Sequence, residues 1–593
     1  MILCDKGLFT LHTKNTTYQM KANCYGVLLH TYYGPRVSGC DLSYRIQYTD
    51  RSFAPNPDED GGSRLFSLDA MPQEYSTCGV GDYRLPSLEL ELPCGSRSAD
   101  LRYKSFRLEP GKYALEGLPA FRGPEGETLV VVLEDAAAQV DVELWYGVLE
   151  DYDIITRAVK IINRGGKTVK IRQAASLCLD FQRGDLDLIT FDGKHVLERC
   201  PNRAPLVPGT RSVGSVRGTS SHQHNPFVIL CEHDAGEDHG LCFAACLLYS
   251  GNFEAAVERA QFEDTRLVMG VHPYHFCWPL APGESFTAPE AALCCSKEGF
   301  STLSHRLHRC IRERLIQNPW AGQPQRVLIN NWEATLFDFD AERLIKIAES
   351  AAPMGIGLFV MDDGWFGARD TDTAGLGDWT VNGRKLPGGL EALVPRIKAL
   401  GMDFGIWIEP EMVNEDSELY REHPDWALHI PGRSKVRGRQ QLVLDFSRKD
   451  VRDRVYGDLK KVLSSADISY VKWDMNRSLA TAWSAALPAE RQGEVYHRYV
   501  LGVYDMLEQM RRDFPSVLIE GCSGGGGRFD AGMLYYTPQI WCSDNTDAID
   551  RLRIQYGTSF CYPVGTMGAH VSAVPNAQTG RSVPIETRGL VAM

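Results

Sequence analysis

The chain has 593 residues, a net charge of −13 and an ordinary globular composition, with 44% hydrophobic and 23% charged residues. This length is too great for a single hydrophobic core and predicts a multidomain protein of about two to four domains. The negative charge argues against a nucleic-acid partner, because like charges repel, and leaves neutral ligands such as sugars as candidates.

The first residues and the cysteines indicate the cellular compartment. Asp5 and Lys6 stand where a signal peptide needs an apolar core, and no apolar run approaches the roughly 20 residues of a membrane span. The 17 cysteines are odd in number, spread through hydrophobic segments, and form no C-x-x-C pair. We therefore expect buried, reduced thiols in a cytoplasmic protein, with no membrane partner and no structural zinc site.

Residues 1–300 are predicted to form an N-terminal β-sandwich domain. Short runs rich in β-branched residues, such as TLVVVLED at 128–135, are broken by turn residues. NRGGK at 163–167 lies between two alternating stretches and predicts a hairpin. Because no helical pattern separates the runs, we expect a large sandwich, a β-supersandwich. The segment DAMPQEYSTCGVGDYR at 69–84 is interpreted as a surface loop.

Residues 301–325 are predicted to form a linker helix between two domains. Apolar residues recur at helical spacing from Leu303 to Leu315, and Ser301 is the expected N-cap. Pro319 then ends the helix.

From 326 to 593, strand-like and helical runs alternate about eight times, which is typical of a TIM-type (β/α)8 barrel. QLVLDFSRKD, before the helix predicted at 451–465, leaves the exact strand count open. Because RGLVAM is interpreted as the last strand, we expect a fragment whose barrel is incomplete at its C-terminal end. The strand-like runs are RVLINNWEA, GLFVMDDGWF, DFGIWIEPEMV, SYVKWDMNR, SVLIEGCSGG, IWCSDNTDA, YPVGTMGAHV and RGLVAM.

Polar residues stand where these strands end. In YVKWDMNR, residues 470–477, a period of two places Lys472, Asp474 and Asn476 on one face of the strand. Burying three polar side chains without partners would be costly. We therefore expect them at the open end of the barrel, where barrel enzymes carry their chemistry.

Carboxylates and tryptophans gather at the same strand ends. Carboxylates accept hydrogen bonds from sugar hydroxyls, and aromatic faces pack against sugar C–H groups. Lys472 is expected to keep Asp474 ionised, whereas Asp544 has no adjacent basic residue, so burial near other acids predicts a raised pKa suited to a proton donor. Two such carboxyls could cleave a glycosidic bond. The residues concerned are Asp362, Asp363, Glu409, Glu411, Asp474, Asp544, Asp547, Trp332, Trp365, Trp407, Trp473 and Trp541.

Six motifs in this order resemble glycoside hydrolase family 36, which includes bacterial α-galactosidases and plant raffinose-processing relatives. MPQEYS and the β-rich first half extend the resemblance over nearly the whole chain. Ala577 departs from it, because the family often has histidine there, and we expect an effect on the rim of the site. The motifs are FVMDDGWF, GIWIEPEMV, YVKWDMNR, CSGGGGRFD, WCSDNTDAIDRLRIQYGTS and GAHVSAVPN.

The resemblance implies a retaining exo-α-galactosidase that acts on oligosaccharides such as melibiose and raffinose through a covalent glycosyl-enzyme. Asp474 matches the family's nucleophile and Asp544 its acid/base. No cofactor and no metal are implied. A homo-oligomer is implied, with a tetramer as a candidate size, and the 69–84 loop is a candidate to reach a neighbouring subunit's site. The residues that match substrate-binding positions are Asp362, Asp363, Trp332, Trp407, Arg439, Lys472, Asn476, Cys522 and Gly524.

Several alternatives stay open at this level. The same site chemistry fits an α-galactosyl transglycosylase or an α-N-acetylgalactosaminidase, and an incomplete barrel fits a non-catalytic sugar-binding fragment. A metal-dependent barrel enzyme has only His570 as a strand-end histidine ligand. GCSGGGGRFD lacks the G-K-[ST] of a phosphate-binding loop. Asp474 could instead be a structural carboxylate paired with Lys472 or Arg477, and Glu409 and Glu411 fit either support or substrate contact.

Overall fold

The computed structural model of the protein describes residues 1–51, 53–61, 63–316, 319–320 and 322–593. Antiparallel sheets occupy the chain up to Ser296, and a parallel sheet with helices begins at Leu328. The predicted order of a sheet-rich part followed by an α/β part is therefore confirmed. Three residues of the predicted linker, 317, 318 and 321, lie outside the described residues, and the boundaries at 300 and 325 stay a prediction.

The first part is built from 20 described strands in three antiparallel sheets. They are β1 (Ile2–Asp5), β2 (Leu8–His12), β3 (Thr16–Ala22), β4 (Leu28–Pro35), β5 (Leu88–Glu91), β6 (Arg102–Pro110), β7 (Glu127–Asp135), β8 (Val140–Leu149), β9 (Ile154–Asn163), β10 (Val169–Phe181), β11 (Asp187–Lys194), β12 (Leu197–Pro205), β13 (Gly209–Gly214), β14 (His224–Cys231), β15 (Cys242–Leu247), β16 (Phe253–Arg259), β17 (Thr265–Val271), β18 (Trp278–Leu280), β19 (Ser285–Thr287) and β20 (Ala291–Ser296).

Two large sheets share one hydrophobic core. One has the order β13-β16-β17-β10-β18 with β5 beside β10, and the other has β12-β11-β14-β15-β20-β9-β8-β7-β6 with β19 beside β9. Strands β1–β4 form a separate sheet in chain order. The hairpin predicted at NRGGK is wrong, because β9 and β10 belong to different sheets and the turn carries the chain from one to the other.

The segment predicted as a surface loop at 69–84 is mostly buried, and residues 71–77 are all buried. Glu74 explains why. Its carboxylate accepts hydrogen bonds from the hydroxyls of Tyr18 (2.6 Å) and Tyr146 (2.7 Å) and from Arg157 Nη1 (2.6 Å). His30 Nδ1 lies 3.1 Å from the second carboxylate oxygen. The polar segment around Glu74 is therefore buried because an ion pair with Arg157 and contacts with three other side chains satisfy its carboxylate.

Helix α1 (Gly299–Cys310) and a following π-helical turn at 311–315 form the described part of the linker. The predicted helix is confirmed, but Ser301 is not its N-cap. The helix begins at Gly299, two residues before Ser301. The N–H groups of Phe300 and Ser301 donate to the carbonyls of Gly236 and Glu237. A loop of the first part therefore caps the helix, a contact that local sequence does not encode.

The second part has seven described parallel strands that pair in chain order, β21-β22-β23-β26-β27-β28-β29, while β24 and β25 form a small antiparallel ribbon. The strands are β21 (Leu328–Asn330), β22 (Leu358–Met361), β23 (Asp403–Ile408), β24 (Met412–Val413), β25 (Leu442–Val443), β26 (Tyr470–Trp473), β27 (Leu518–Gly521), β28 (Gln539–Trp541) and β29 (Met567–Gly568). The helices are α2 (Trp332–Thr335), α3 (Ala341–Ala351), α4 (Gly389–Ala399), α5 (Glu418–Glu422), α6 (Lys449–Ser464), α7 (Val495–Asp513), α8 (Ala531–Leu534), α9 (Ala548–Ser559) and α10 (Ile585–Ala592).

This curled parallel sheet fits a partial (β/α)8 barrel, with two corrections to the strand prediction. RGLVAM is not a strand but most of helix α10, which follows Pro584 and packs on α9 through a hydrogen bond from Gln555 Nε2 to the Val591 carbonyl (2.9 Å). A helix after each strand is what the alternation requires, so this segment takes the helix position. QLVLDFSRKD forms β25, which pairs antiparallel with β24 outside the main sheet. No helix in the described ranges is long and apolar enough to cross a membrane.

The buried ion pair between Glu74 and Arg157 leads to a prediction about stability. Arg157→Met should lower the free energy of unfolding by about 3–5 kcal/mol, because it leaves the fully buried Glu74 carboxylate without its cation. Urea denaturation measures the loss. The double variant Arg157→Met/Glu74→Gln should recover part of it, since the uncompensated charge is gone. Lys449→Ala, in an ion pair with side chains 76% and 50% exposed, is the control and should change stability by less than about 0.5 kcal/mol.

Candidate active site

The carboxyl ends of five neighbouring strands, β22, β23, β26, β27 and β28, carry predicted site residues. Trp407 lies near the end of β23. Asp362 directly follows β22, Asp474 follows β26 and Cys522 follows β27, while Asp544 lies three residues after the end of β28. Because the strands are parallel and adjacent, these residues meet at one end of the sheet.

Asp474 sits among four hydrogen-bond donors. Its Oδ1 accepts from the N–H groups of Met475 (2.8 Å) and Gly524 (3.3 Å). Its Oδ2 accepts from Trp407 Nε1 (3.2 Å) and Asn476 Nδ2 (2.8 Å). The residue is only 6% exposed. These donors fix the orientation of the carboxylate and replace the water that it loses on burial.

Lys472 pairs with Asp362 rather than with Asp474. Its Nζ lies 3.0 Å from Asp362 Oδ2, which also accepts from Asn330 Nδ2 (2.6 Å). Burial would lower the pKa of Lys472, but the surrounding negative charges, Asp362 first among them, raise it well above its usual value. The lysine is therefore a permanent cation in the centre of the site.

Asp363, 4% exposed, is held by a buried arginine. Arg369 Nε and Nη2 donate to its two oxygens at 2.9 and 2.8 Å, and the arginine side chain is wholly buried. Burial raises the pKa of Asp363 despite this arginine. Both oxygens are thus already bonded to a neighbouring side chain.

Asp544 has a basic partner that the sequence prediction missed. Its Oδ2 lies 2.9 Å from His195 Nε2, and its Oδ1 accepts from Trp541 Nε1 at 3.1 Å. Burial alone would raise the pKa of Asp544, but the hydrogen bond and charge of His195, with the charge of Lys472, lower it. The predicted raised pKa is therefore wrong, because a residue 349 positions earlier supplies the base that the local sequence lacks.

His195 reaches the site at the tip of the β11–β12 hairpin of the first part. Ser543 Oγ donates to Glu198 Oε2 (2.5 Å), Asn545 Nδ2 donates to the Val196 carbonyl (3.0 Å), and Arg199 Nη1 donates to the Gly526 carbonyl (2.9 Å). Val196 and Arg199 adopt φ of 65° and 53°, a left-handed conformation that is unfavourable for non-glycine residues. These unusual dihedrals, which the sequence does not reveal, shape the part of the hairpin that contacts the residues around Asp544.

The remaining predicted residues lie around this centre. Trp332 is half-buried on α2. Trp407 is 2% exposed, and its indole N–H donates to Asp474. Cys522 is buried, and burial raises the pKa of its thiol well above the usual value. The backbone of Arg439 adopts φ 48°. Partial desolvation lowers the pKa of its guanidinium, but several carboxylates, Glu409 and Asp474 first, raise it on balance.

Glu409 and Glu411 support the site and do not face solvent, since both are 0% exposed. Glu411 accepts from Trp473 Nε1 (2.8 Å) and from Arg528 Nη2 (2.8 Å). Glu409 accepts from Gln441 Nε2 (2.9 Å) and the N–H of Asn476 (2.5 Å). Burial, together with the charge of Asp474, raises the pKa of Glu409 to about 8. Glu409 is therefore neutral at pH 7, which keeps a second negative charge away from Asp474.

Among the described residues, no group of three or more His, Cys, Asp and Glu side chains is arranged to hold a metal ion. His570 instead faces Glu333, with Nε2 3.3 Å from the carboxylate.

The raised pKa of Glu409 predicts a pH-dependent stability difference. An unfolded glutamate loses its proton near pH 4.5 and folded Glu409 near 8, so the folded state binds more protons between these values and wild-type stability falls as pH rises. Glu409→Gln cannot ionise. Its free energy of unfolding relative to wild type should therefore increase by a few kcal/mol from pH 5 to pH 8, measured by urea denaturation.

The matched control is Glu411→Gln. It removes the carboxylate that pairs with the buried Arg528 and should destabilise the protein at both pH values. A Glu409→Gln difference that stays constant from pH 5 to pH 8 would contradict the assignment of a neutral Glu409.

Two family models match the chain. Residues 285–593 match the Melibiase model, and residues 26–281 match the glycosyl hydrolase family 36 N-terminal domain. The bifunctional alpha-galactosidase/sucrose kinase AgaSK of Mediterraneibacter gnavus is 53% identical over 99% of this chain and 62% of that protein. The chain thus spans less than two thirds of the length of this relative.

Other relatives are matched over more of their length. Alpha-galactosidase AgaA of Geobacillus stearothermophilus is 48% identical over 99% of this chain and 80% of that protein. Its solved structure superposes with a TM-score of 0.97, covering 99% of this chain and 82% of that one. The galactosidase domain of AgaSK also gives 0.97, at 52% identity, covering 100% of this chain and 82% of that one. Variants of AgaA have been solved in complex with raffinose and with stachyose. The chain belongs to glycoside hydrolase family 36.

Proposed function

We propose that this protein is a retaining exo-α-galactosidase that releases terminal α-galactosyl residues from oligosaccharides such as melibiose and raffinose. The observation that carries the proposal is the contrast between two carboxyls at the ends of β26 and β28. Asp474 is 6% exposed among four donors, whereas the side chain of Asp544 is 37% exposed and lies beside a histidine. A retaining glycosidase needs one carboxyl fixed as a nucleophile and one that exchanges protons.

Asp474 is assigned the role of nucleophile. Its fixed carboxylate attacks the anomeric carbon and forms a covalent galactosyl-enzyme, while Asp544 protonates the departing glycosidic oxygen. In the second step a water molecule attacks the same carbon, Asp544 accepts its proton, and the bond to Asp474 breaks. Two displacements at one carbon retain its configuration.

The substrate-binding roles follow the polarity of the side chains. The Asp362–Lys472 pair offers a charged acceptor and a charged donor to adjacent sugar hydroxyls. Trp332 and Trp407 offer aromatic walls. Four residues match substrate-binding positions of the family, which supports contacts with the sugar around the nucleophile and the 2-hydroxyl. They are Arg439, Asn476, Cys522 and Gly524. Asp363 is assigned as a hydroxyl ligand that Arg369 orients.

We also propose that the protein is a cytoplasmic homo-oligomer, with a tetramer as the candidate size. All 17 cysteines are free and 12 of them are buried, which fits a reducing compartment. Three strongly exposed aromatic side chains fit burial in an assembly, since Tyr44, Phe53 and Tyr83 are 77%, 102% and 77% exposed. Light scattering on the purified protein measures the size.

Variants at the two carboxyls test the mechanism. Asp474→Ala should abolish hydrolysis of an aryl α-galactoside, and azide should restore some turnover as the β-galactosyl azide, because azide then displaces the leaving group directly. Asp544→Ala should lose activity on melibiose by about 100-fold or more and yield the α-galactosyl azide through the intact nucleophile. The anomeric configuration of the galactosyl azide product, determined by NMR, distinguishes the nucleophile from the acid/base.

Asp547→Asn is the matched control in the same motif. Asp547 caps α9 by accepting from the N–H groups of Ile549 and Asp550 at 3.0 Å, and asparagine caps helices as well. The substitution also removes the ion pair with Arg581, but this arginine is 42% exposed and can be solvated. Activity should stay within about twofold of wild type. Undiminished hydrolysis by Asp474→Ala would remove the nucleophile assignment.

The sugar specificity is tested by comparing aryl α-galactoside with aryl α-N-acetylgalactosaminide. Wild type should prefer the galactoside, because Cys522, 3% exposed, fills the space assigned to the 2-substituent. Cys522→Ala should narrow the preference by removing the sulfur atom. A wild-type preference for the acetamido sugar would favour the α-N-acetylgalactosaminidase alternative, and net oligosaccharide synthesis at high acceptor concentration would favour the transglycosylase.

A further inference from the structure

We propose that His195 is a positioning residue that holds, in a shared hydrogen bond, the proton that Asp544 passes to the leaving group. The inference deepens the proposed function and rests on it. His195 Nε2 lies 2.9 Å from Asp544 Oδ2, where the sheet-rich part meets the parallel-sheet part. Both side chains reach solvent, at 57% and 37% exposure, so the pair can exchange protons.

The hairpin tip is anchored to the residues on both sides of Asp544. Val196 accepts from Asn545, and Glu198 accepts from Ser543, the residues that flank Asp544 in the sequence. His222, from the loop between β13 and β14, packs edge-on against His195 with ring centroids 5.4 Å apart, and its Nε2 contacts the Gly524 carbonyl at 2.6 Å. The imidazole is therefore held against one oxygen of Asp544 by contacts that do not involve the carboxylate itself.

The charges of the pair explain why a shared proton is useful. The hydrogen bond and charge of His195 lower the pKa of Asp544 against the effect of burial, so at neutral pH this carboxyl alone would have lost its proton. The hydrogen bond to Asp544, more than the opposing burial, raises the pKa of His195 above 6.5. Two groups coupled in this way titrate as one unit, which keeps a single proton up to the higher of the two values.

The proton balance of each step is then closed within the pair. With one shared proton, a minor form has neutral His195 and protonated Asp544. In the first displacement the bond from Asp474 to the anomeric carbon forms, the glycosidic C–O bond breaks, and the proton leaves with the released oxygen. The pair is left as neutral imidazole and carboxylate. In the second displacement the attacking water gives its proton back to the pair.

Other charged or titratable groups face the pair and set its background potential. Lys472 and Arg439 add positive charge, and Glu198 adds negative charge. Titratable or charged residues that interact electrostatically with one or both members of the pair are Glu198, His222, Arg439, Lys472, Cys522 and Arg551. None of these contacts both members of the pair by a hydrogen bond within the ranges the structure describes.

The test compares His195→Gln and His195→Ala with wild type. Glutamine can still donate a hydrogen bond to Asp544 but cannot hold the extra proton, so it separates orientation from proton storage. For melibiose, whose leaving group needs protonation, kcat/KM of His195→Gln at pH 7 should fall about 10–100-fold, and its alkaline limb should move to lower pH by about one unit or more. For p-nitrophenyl α-galactoside the loss should stay below about fivefold, because its leaving group is already acidic.

Lys194→Gln is the matched control, since Lys194 is the exposed cation beside His195 on the same hairpin. It should follow wild type on both substrates. If His195→Gln has the same pH profile on melibiose as wild type, only the hydrogen bond to Asp544 matters, and the proposal is overturned. An alkaline limb that moves to higher pH would also overturn it, because Asp544 would then keep its own proton.

An NMR titration of histidine-labelled protein tests the pair without turnover. His195 should titrate above 6.5 in wild type and fall toward 6.5 in Asp544→Asn. Identical titration in both proteins overturns the coupling. The proposed hydrolytic function is tested independently. It is wrong if wild type cleaves neither substrate while the His195 titrations of wild type and Asp544→Asn still differ.

Discussion

The catalytic end of the molecule depends on the register of its parallel sheet. Ile408 of β23 pairs with Trp473 of β26, and Trp473 pairs with Gly521 of β27. The next residues along these strands, Glu409, Asp474 and Cys522, therefore emerge at the same level. A shift of one residue in any strand would turn its side chains to the opposite face and empty the site. The donors around Asp474 come from three strand ends, so only this register assembles them.

Once several acids are gathered at one end of a sheet, their charges have to be compensated. The protein uses three physical solutions. Asp363 and Glu411 are bonded to the buried Arg369 and Arg528, and Asp362 is paired with Lys472. The third solution is neutrality, since Glu409 keeps its proton to about pH 8. Asp474 is served by neutral donors only, which leaves its charge available rather than cancelled by a direct ion pair.

The sheet-rich part is a component of the site as well as a neighbour of it. Its β11–β12 hairpin contacts the loop after β28 through side chains on both sides of Asp544. The acid/base candidate is consequently positioned by two parts of the chain, and the nucleophile candidate by one. This asymmetry suits their proposed roles, because a nucleophile must be rigid whereas a proton carrier must exchange with solvent.

The sequence by itself determined the order of the two parts, most of the barrel strands and the carboxylates that stand at their ends. It could do so because strand and helix periods are local, and because a polar residue after a buried strand is visible without a structure. Glu74 was misjudged as surface, since the tyrosines and the arginine that bury it lie far away in the sequence. RGLVAM was misjudged as a strand, because a short apolar run fits either element until its neighbours are known.

Only the tertiary structure decided the electrostatics of the site. Lys472 lies two residues from Asp474, yet packing pairs it with Asp362 on another strand. Asp544 has no basic residue near it in the chain, yet His195 contacts it across 349 positions. The pKa of a carboxyl depends on burial and on charges within a few ångströms, and both are properties of the folded arrangement. Sequence spacing therefore located the acids, while the fold set which of them are paired, neutral or free to exchange a proton.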